Sequence, residues 1–179
     1  KYFVKNCDII IHLAAINRHE DLNILYETNI SLVQSIIDAC EKTLSIPKII
    51  FSSSIQEELD NPYGRSKFEG RKLFENWALK NNSECSTLII PNVFGPNCKP
   101  FYNSVVSTFC YNILNNHPIS VNDPTTTLNL IYIDDLVKNF LQHIEIPLDE
   151  SGLNDIHFYT LTLGDLADIL QNFQTNPVL

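Results

Sequence analysis

Apolar residues in this chain follow two alternating patterns. Short runs that stay apolar on consecutive positions, Asp8 to Leu13, Lys48 to Ser53 and Ser86 to Ile90, predict strands covered on both faces. Between them, Leu25, Leu32, Ile36, Ile37 and Cys40 recur at helical spacing over Leu22 to Lys42. Phe68, Leu73, Phe74 and Trp77 do the same over Pro62 to Asn81. Residues 91–100 carry three prolines and Gly95 and are expected to be loop. Beyond them the pattern predicts a helix over Tyr102 to Asn115 and short strands at Ile119 to Val121 and Leu128 to Ile133. A helix over Asp134 to Ile144, a strand over Ile156 to Thr160 and a helix from Thr162 to Phe173 follow. Thr162 is expected to cap the last of these, with Asp165 in its first turn. Strand–helix alternation of this kind implies an α/β, Rossmann-like doubly wound sheet with a parallel core. Ligands in such sheets sit outside the carboxyl ends of the strands. Ala14-Ala15, Ser54 and Pro91-Asn92 each follow a strand end and are expected at one crevice.

The second strand ends in Ser52-Ser53-Ser54, polar where a buried strand should stay apolar. Asn61-Pro62 then reads as a helix cap and first helical position. Tyr63 and Lys67 follow, four apart and so on one helix face. An ammonium beside a phenol favours the phenolate, which predicts a lowered Tyr63 pKa. The Ser54 hydroxyl can bond the oxygen that Tyr63 protonates. The three residues together suit proton transfer at a carbonyl or alcohol oxygen while a hydride moves on the adjacent carbon.

Composition narrows the classes. At 179 residues with 44% hydrophobic content, one domain or a large piece of one is expected. The net charge of −9 argues against nucleic acid or an anionic membrane as partner, and no run approaches the length of a membrane span. Cys7, Cys40, Cys85, Cys98 and Cys110 are scattered without a Cys-x-x-Cys pair, which favours neither disulfides nor a metal site and fits a reducing cytoplasm. The chain has no methionine and begins at Lys1, so it is read as an internal piece of a longer protein. None of its five glycines forms the Gly-rich turn that opens a dinucleotide-binding unit. The expectation is therefore an N-terminally truncated domain over residues 1–179 that binds NADPH poorly on its own.

In order, His12-Leu13-Ala14-Ala15, Asn29, Phe51-Ser52-Ser53-Ser54, Tyr63-Gly64-Arg65-Ser66-Lys67, Pro91-Asn92-Val93-Phe94-Gly95-Pro96 and Ile131-Tyr132-Ile133-Asp134-Asp135 resemble the extended short-chain dehydrogenases, the NAD-dependent epimerase/dehydratase group. Ser53-Ser54-Ile55-Gln56, Leu59 to Gly64, Tyr102 to Val106, Thr108 to Ile113 and Val121 to Pro124 resemble one subgroup within it. That subgroup is the capsular polysaccharide reductases of UDP-N-acetyl-L-fucosamine synthesis, which reduce the 4-keto group of a UDP-linked 2-acetamido-6-deoxyhexose. The resemblance implies Tyr63 as proton donor, Lys67 as its partner and a ribose ligand, and Ser54 as the residue orienting the carbonyl. It implies cofactor contacts, NADPH in preference to NADH, from Leu13, Ala14, Ala15, Ser52, Tyr63, Lys67, Pro91 and Val93. It implies sugar-nucleotide contacts from Ser54, Gln56, Asn92, Asn103 and Ser104, with the C-terminal residues forming a small substrate-binding part. Asn29 is expected to brace the sheet. A UDP-sugar substrate and a homodimeric full-length protein follow from the same resemblance.

Two departures bear on the chemistry. Ile89 and Thr127-Leu128-Asn129 stand where many extended members carry arginines that contact phosphate. Ile55 and Gln56 follow Ser54 where the 4,6-dehydratases carry an Asp-Glu acid pair. Dehydration is thereby disfavoured. Reduction is the primary reading, with redox-cycled epimerisation or a non-catalytic remnant as alternatives.

Overall fold

The structure, a computed structural model, describes residues 3–145 and 156–175. It divides into two compact units, residues 1–90 with 139–156, and residues 91–138 with 157–179.

The first unit contains β1 (Ile9–His12), α1 (Leu22–Thr43), β2 (Lys48–Ser54), α2 (Pro62–Lys80) and β3 (Cys85–Ile90). Its sheet runs β1-β2-β3 and is parallel throughout, with Ile10 opposite Ile49 and Phe51 opposite Thr87. Both predicted helices and all three strands lie where the apolar pattern places them. Asp21 caps α1 by accepting from the backbone N–H groups of Asn23 and Ile24. Val33, Ile37 and Cys40 of α1 meet Ile49 and Phe51 of β2 and Phe74, Trp77 and Ala78 of α2 in one core. Each fully buried large side chain there contributes roughly 1.5–3 kcal/mol. The two helices approach closely at Gly70, where an added Cβ would lie 3.1 Å from Val33 Cγ2. Phe68 departs from the expected inward face: it is 42% exposed, and the guanidinium of Arg71 sits 5.1 Å from its ring centroid. Ser66, Lys67 and Gly70 take the buried positions instead.

The second unit contains β4 (Asn92–Phe94), α3 (Val105–Leu114), β5 (Thr127–Tyr132), β6 (Tyr159–Thr162) and α5 (Leu163–Thr175). The helix α4 (Ile133–Glu145) begins directly after β5. Its sheet runs β4-β5-β6, with β4 parallel and β6 antiparallel to β5. Phe109, Leu130, Leu166 and Ala167 form the core.

Several boundaries differ from expectation here. The proline-rich loop contains β4, because Val93-Phe94 between the prolines supplies a ladder for Ile131 and Tyr132. The helix expected from Tyr102 starts at Val105: Phe101 holds a left-handed φ of 57°, and Ser104 caps the helix by accepting from the N–H of Ser107 at 3.2 Å. Ile119 to Val121 is not a strand; Ile119 and Val121 pack irregularly against the core. The strand expected at Ile156 to Thr160 forms at Tyr159–Thr162. The Thr162 cap is as predicted, its hydroxyl accepting from the N–H of Asp165 while the Asp165 carboxylate accepts from the N–H of Thr162.

Candidate active site

β2 carries the serine run out of the core and ends on Ser54, which is buried. Its hydroxyl oxygen accepts from the N–H of Gln56 at 3.2 Å and so caps a 3-10 turn, Ile55–Glu58. That bond uses a lone pair and leaves the hydroxyl proton to be donated elsewhere. The chain then enters α2 through Asn61, whose side-chain oxygen accepts from the N–H of Gly64 at 2.7 Å, with Pro62 in the first helical position. The 3-10 turn rests directly on this first helical turn. A Cβ on Gly64 would lie 1.9 Å from the carbonyl oxygen of Gln56 and 3.0 Å from that of Leu59. Only glycine lets the turn that Ser54 caps touch the helix turn that carries Tyr63.

A second set of bonds fixes the same helix turn from the other side. Ser66 donates to the carbonyl of Tyr63 at 2.7 Å and accepts from Asn29 Nδ2 at 3.0 Å. Asn29 is 3% exposed. It also binds both polar groups of the Ile16 backbone, accepting from the N–H at 2.8 Å and donating to the carbonyl at 3.0 Å. Asn29 thus ties the extended segment after β1, which contains Ala14 and Ala15, to the start of α2. The resemblance implies that Asn29 braces the sheet; its bonds instead join the segment after β1 to α2.

Lys67 is 3% exposed, and its Nζ lies 4.5 Å from the centroid of the Phe51 ring. Burial brings its pKa down to about 8, against the opposing charge of Glu57. His12 is buried in β1 and stacks on Phe51 at 5.7 Å. Burial first, and then the charge of Lys67, bring its imidazole down to about 4. Its Nε2 has no hydrogen-bond partner. Burial pushes the Tyr63 phenol above its ordinary value. The expected lowering by Lys67 is therefore not found. The ammonium is placed over Phe51, and burial is the cause that acts on the phenol.

The remaining predicted residues fall in both units. In the first, Leu13 is 60% exposed, Ala14 is exposed, and Ala15, Ser52 and Gln56 are half-buried. In the second, Pro91 is buried and Val93 lies half-buried in β4. Asn92 is exposed and donates to the carbonyl of Asn129 at 3.2 Å, while Asn103 is exposed. Ser104 is buried, with its oxygen committed to the α3 cap. Two residues of the first unit escaped the sequence reading: Glu57 and Arg71, a half-buried ion pair at 2.6 Å, with Ser53 donating to the same carboxylate. Nothing in their separation along the chain signals the pairing. His12, a polar residue in an apolar strand, carried a visible signal but no assigned role. Among the described residues no group of His, Cys, Asp or Glu could hold a metal ion, and no helix is long and apolar enough to cross a membrane.

Comparison with known proteins identifies the family. The NAD dependent epimerase/dehydratase family matches residues 1–152. A Pseudomonas aeruginosa protein, UDP-2-acetamido-2,6-beta-L-arabino-hexul-4-ose reductase, is 33% identical over 176 residues, covering 97% of this chain and 47% of that protein. The crystal structure of the capsular polysaccharide assembling protein CapF from Staphylococcus aureus superposes with a TM-score of 0.80 at 35% identity, covering 96% of this chain and 46% of that one. UDP-glucuronic acid 4-epimerase from Bacillus cereus, solved with NAD, shares the fold with a TM-score of 0.85 at 20% identity, covering 99% of this chain and 62% of that one. The chain thus spans about half the length of the reductase and of CapF. On the family match and the reductase likeness together, this chain belongs to the NAD dependent epimerase/dehydratase family.

Proposed function

We propose that this chain carries the acid–base centre of an NAD(P)-dependent reductase acting on a UDP-linked 4-keto-6-deoxy-hexosamine, in the making of a capsule or O-antigen precursor. The observation that carries the reading is the holding of Ser54 and Tyr63 on two directly abutting turns, with Lys67 one helical turn further along α2. The likeness to the Pseudomonas reductase supplies the substrate class.

The donor set suits a nicotinamide dinucleotide. Lys67 offers an ammonium for a ribose diol, and the small side chains of Ala14 and Ala15 at the end of β1 permit close approach. When bound, the reduced cofactor, NADPH by the resemblance to the capsular reductases, would supply a hydride to the carbonyl carbon. Tyr63 gives its proton to the carbonyl oxygen, and Ser54 donates a hydrogen bond to that oxygen. Burial keeps the phenol protonated at neutral pH, the state a donor needs for reduction. Lys67, with a pKa of about 8, is still largely charged at pH 7 and so can offer its ammonium to a ribose hydroxyl. Elimination of water would need a free carboxylic acid beside Ser54. Ile55 and Gln56 provide none, and Glu57 is bound by Arg71.

The test is to supply the complete gene product with NADPH and the 4-keto sugar nucleotide and to follow absorbance of the reduced nicotinamide. Loss of absorbance in proportion to product is expected. Isomerised product at constant absorbance would replace this reading with epimerisation, and no turnover at all would make the chain a non-catalytic relative.

A further inference from the structure

A buried ammonium needs a counterpart, and Lys67 is 3% exposed. The group set against its Nζ is the ring of Phe51, with the centroid 4.5 Å away. That is well inside the range at which a ring quadrupole attracts a cation. The ring is fixed by its neighbours. Phe51 is 1% exposed in the centre of β2. His12 of β1 stacks on it at 5.7 Å with 19° between the planes, and Phe74 of α2 leans on it at 5.4 Å. His12 and Phe74 meet edge to face at 5.3 Å and close a three-ring cluster. Lys67, Gly70 and Phe74 share one face of α2. The missing side chain at Gly70 admits the rim of the ring, since an added Cβ would lie 3.4 Å from Phe51 Cζ.

The choice of counterpart has a chemical consequence. A carboxylate here would hold the ammonium by accepting its N–H groups and cancelling its charge. A ring face attracts the cation, bears no net charge and offers no lone pair. It leaves the charge whole and N–H donors free for a ligand. The titratable groups on the elements around Lys67 do not take the place of the ring. His12 of β1, with a pKa of about 4, is neutral at physiological pH. The Cys85 thiol of β3, pushed up to about 12, and the Tyr63 phenol, raised by burial, stay protonated. Glu57 after β2 is bound by Arg71 at 2.6 Å and by Ser53. Tyr26 of α1 pairs with Glu69. Arg71, four positions further along α2, carries the same sign of charge as Lys67.

We propose that Phe51 is a positioning residue for Lys67: its ring face, locked by His12, Phe74 and Gly70, seats the buried ammonium without neutralising it. The proposal rests on the reading of Lys67 given above. Its test reads no turnover, so its failure and that of the reductase assignment are separable.

The measurement is an NMR titration of Lys67 in the complete gene product without cofactor, with lysine labelled at 13Cε and the signal assigned by its loss in Lys67→Met. The native midpoint is expected near 8. Phe51 is then replaced, at that position alone, by mono-, tri- and pentafluorinated phenylalanine. Fluorine draws electrons from the ring face and weakens its attraction for a cation while changing its shape little. The midpoint is expected to fall in that order, by about one pH unit for the pentafluorinated ring. Should that ring not be tolerated, the mono- and trifluorinated rings carry the same ordering. Pentafluorinated phenylalanine in place of Phe74 belongs to the same cluster without lying under the ammonium, and is expected to leave the midpoint in place. A ring that only fills space gives no graded fall. The midpoint would stay, or would rise as loosened packing let water reach the ammonium. Either result, or an equal fall from the substitution at Phe74, overturns the proposal.

Discussion

Replacing Lys67 with methionine should make this chain more stable while removing its chemistry. The folded chain holds Lys67 3% exposed, with a pKa of about 8 where a solvated lysine has 10.5. Between those values the unfolded chain keeps the proton and the folded chain has released it, so stability rises with pH across that window. Below pH 8 the penalty for keeping the ammonium buried is fully present. At about 1.36 kcal/mol per pH unit it comes to roughly 3 kcal/mol. Methionine has nearly the same length and volume, can lie over Phe51 as the lysine stem does, and carries no charge to desolvate. Glu57 keeps its partner Arg71. The expected gain at pH 7 is therefore about 3 kcal/mol, or about 6–12 °C in Tm for a chain of this size. Urea denaturation of the native chain and Lys67→Met at pH 7 and pH 10 measures it. The gain should shrink at the higher pH, where the native lysine is mostly neutral. A variant no more stable at pH 7, or a gain identical at both pH values, would refute the reasoning.

His12 governs the acid side. With a folded pKa of about 4 against 6.5, its contribution is intact above pH 6.5 and is lost as pH falls toward 4. His12→Leu should flatten the fall in urea midpoint between pH 7 and pH 4.5, and an unchanged slope would place the acid sensitivity elsewhere. Gly64→Ala should destabilise the chain by about 1–3 kcal/mol, although alanine in a helix interior is ordinarily better than glycine by about 1 kcal/mol. The added Cβ meets the main chain at Gln56, and a thermal melt at or above the native value would show that the turn can move away. In the complete gene product, Tyr63→Phe should lower the reduction rate by about two to four orders of magnitude while leaving nicotinamide affinity, read by fluorescence titration, near the native value. Retention of most activity would assign the proton to another group.

The parallel sheet of the first unit was legible because its determinants are local. Runs such as Ile9 to Ile11 and Ile49 to Phe51 have no polar face to offer solvent. Asn61-Pro62 marks a helix start whose chemistry is contained in two adjacent residues. The second unit was harder to read because its boundaries depend on partners distant in sequence. β4 has three residues and exists only by pairing with β5. Ser104 and Asn103 entered the reading as ligand residues through the motif they sit in. The structure shows Ser104 as the cap of α3, a role that the motif did not suggest.

Within the site, spacing specified which residues share a face but not how deeply that face is buried. The Tyr63–Lys67 interval correctly predicted a common stripe on α2. The inferred direction of the Tyr63 pKa failed because burial desolvates the phenol, and that desolvation raises it. Spacing puts Lys67 one turn beyond Tyr63 but says nothing of depth: at 3% exposed, with Nζ over the Phe51 ring, the ammonium is itself desolvated. Both effects belong to the packing of α2 on the first unit and not to the interval between two residues. A phenol kept protonated at neutral pH, on a helix turn that abuts the turn Ser54 caps, is in the state that giving a proton to a carbonyl oxygen requires.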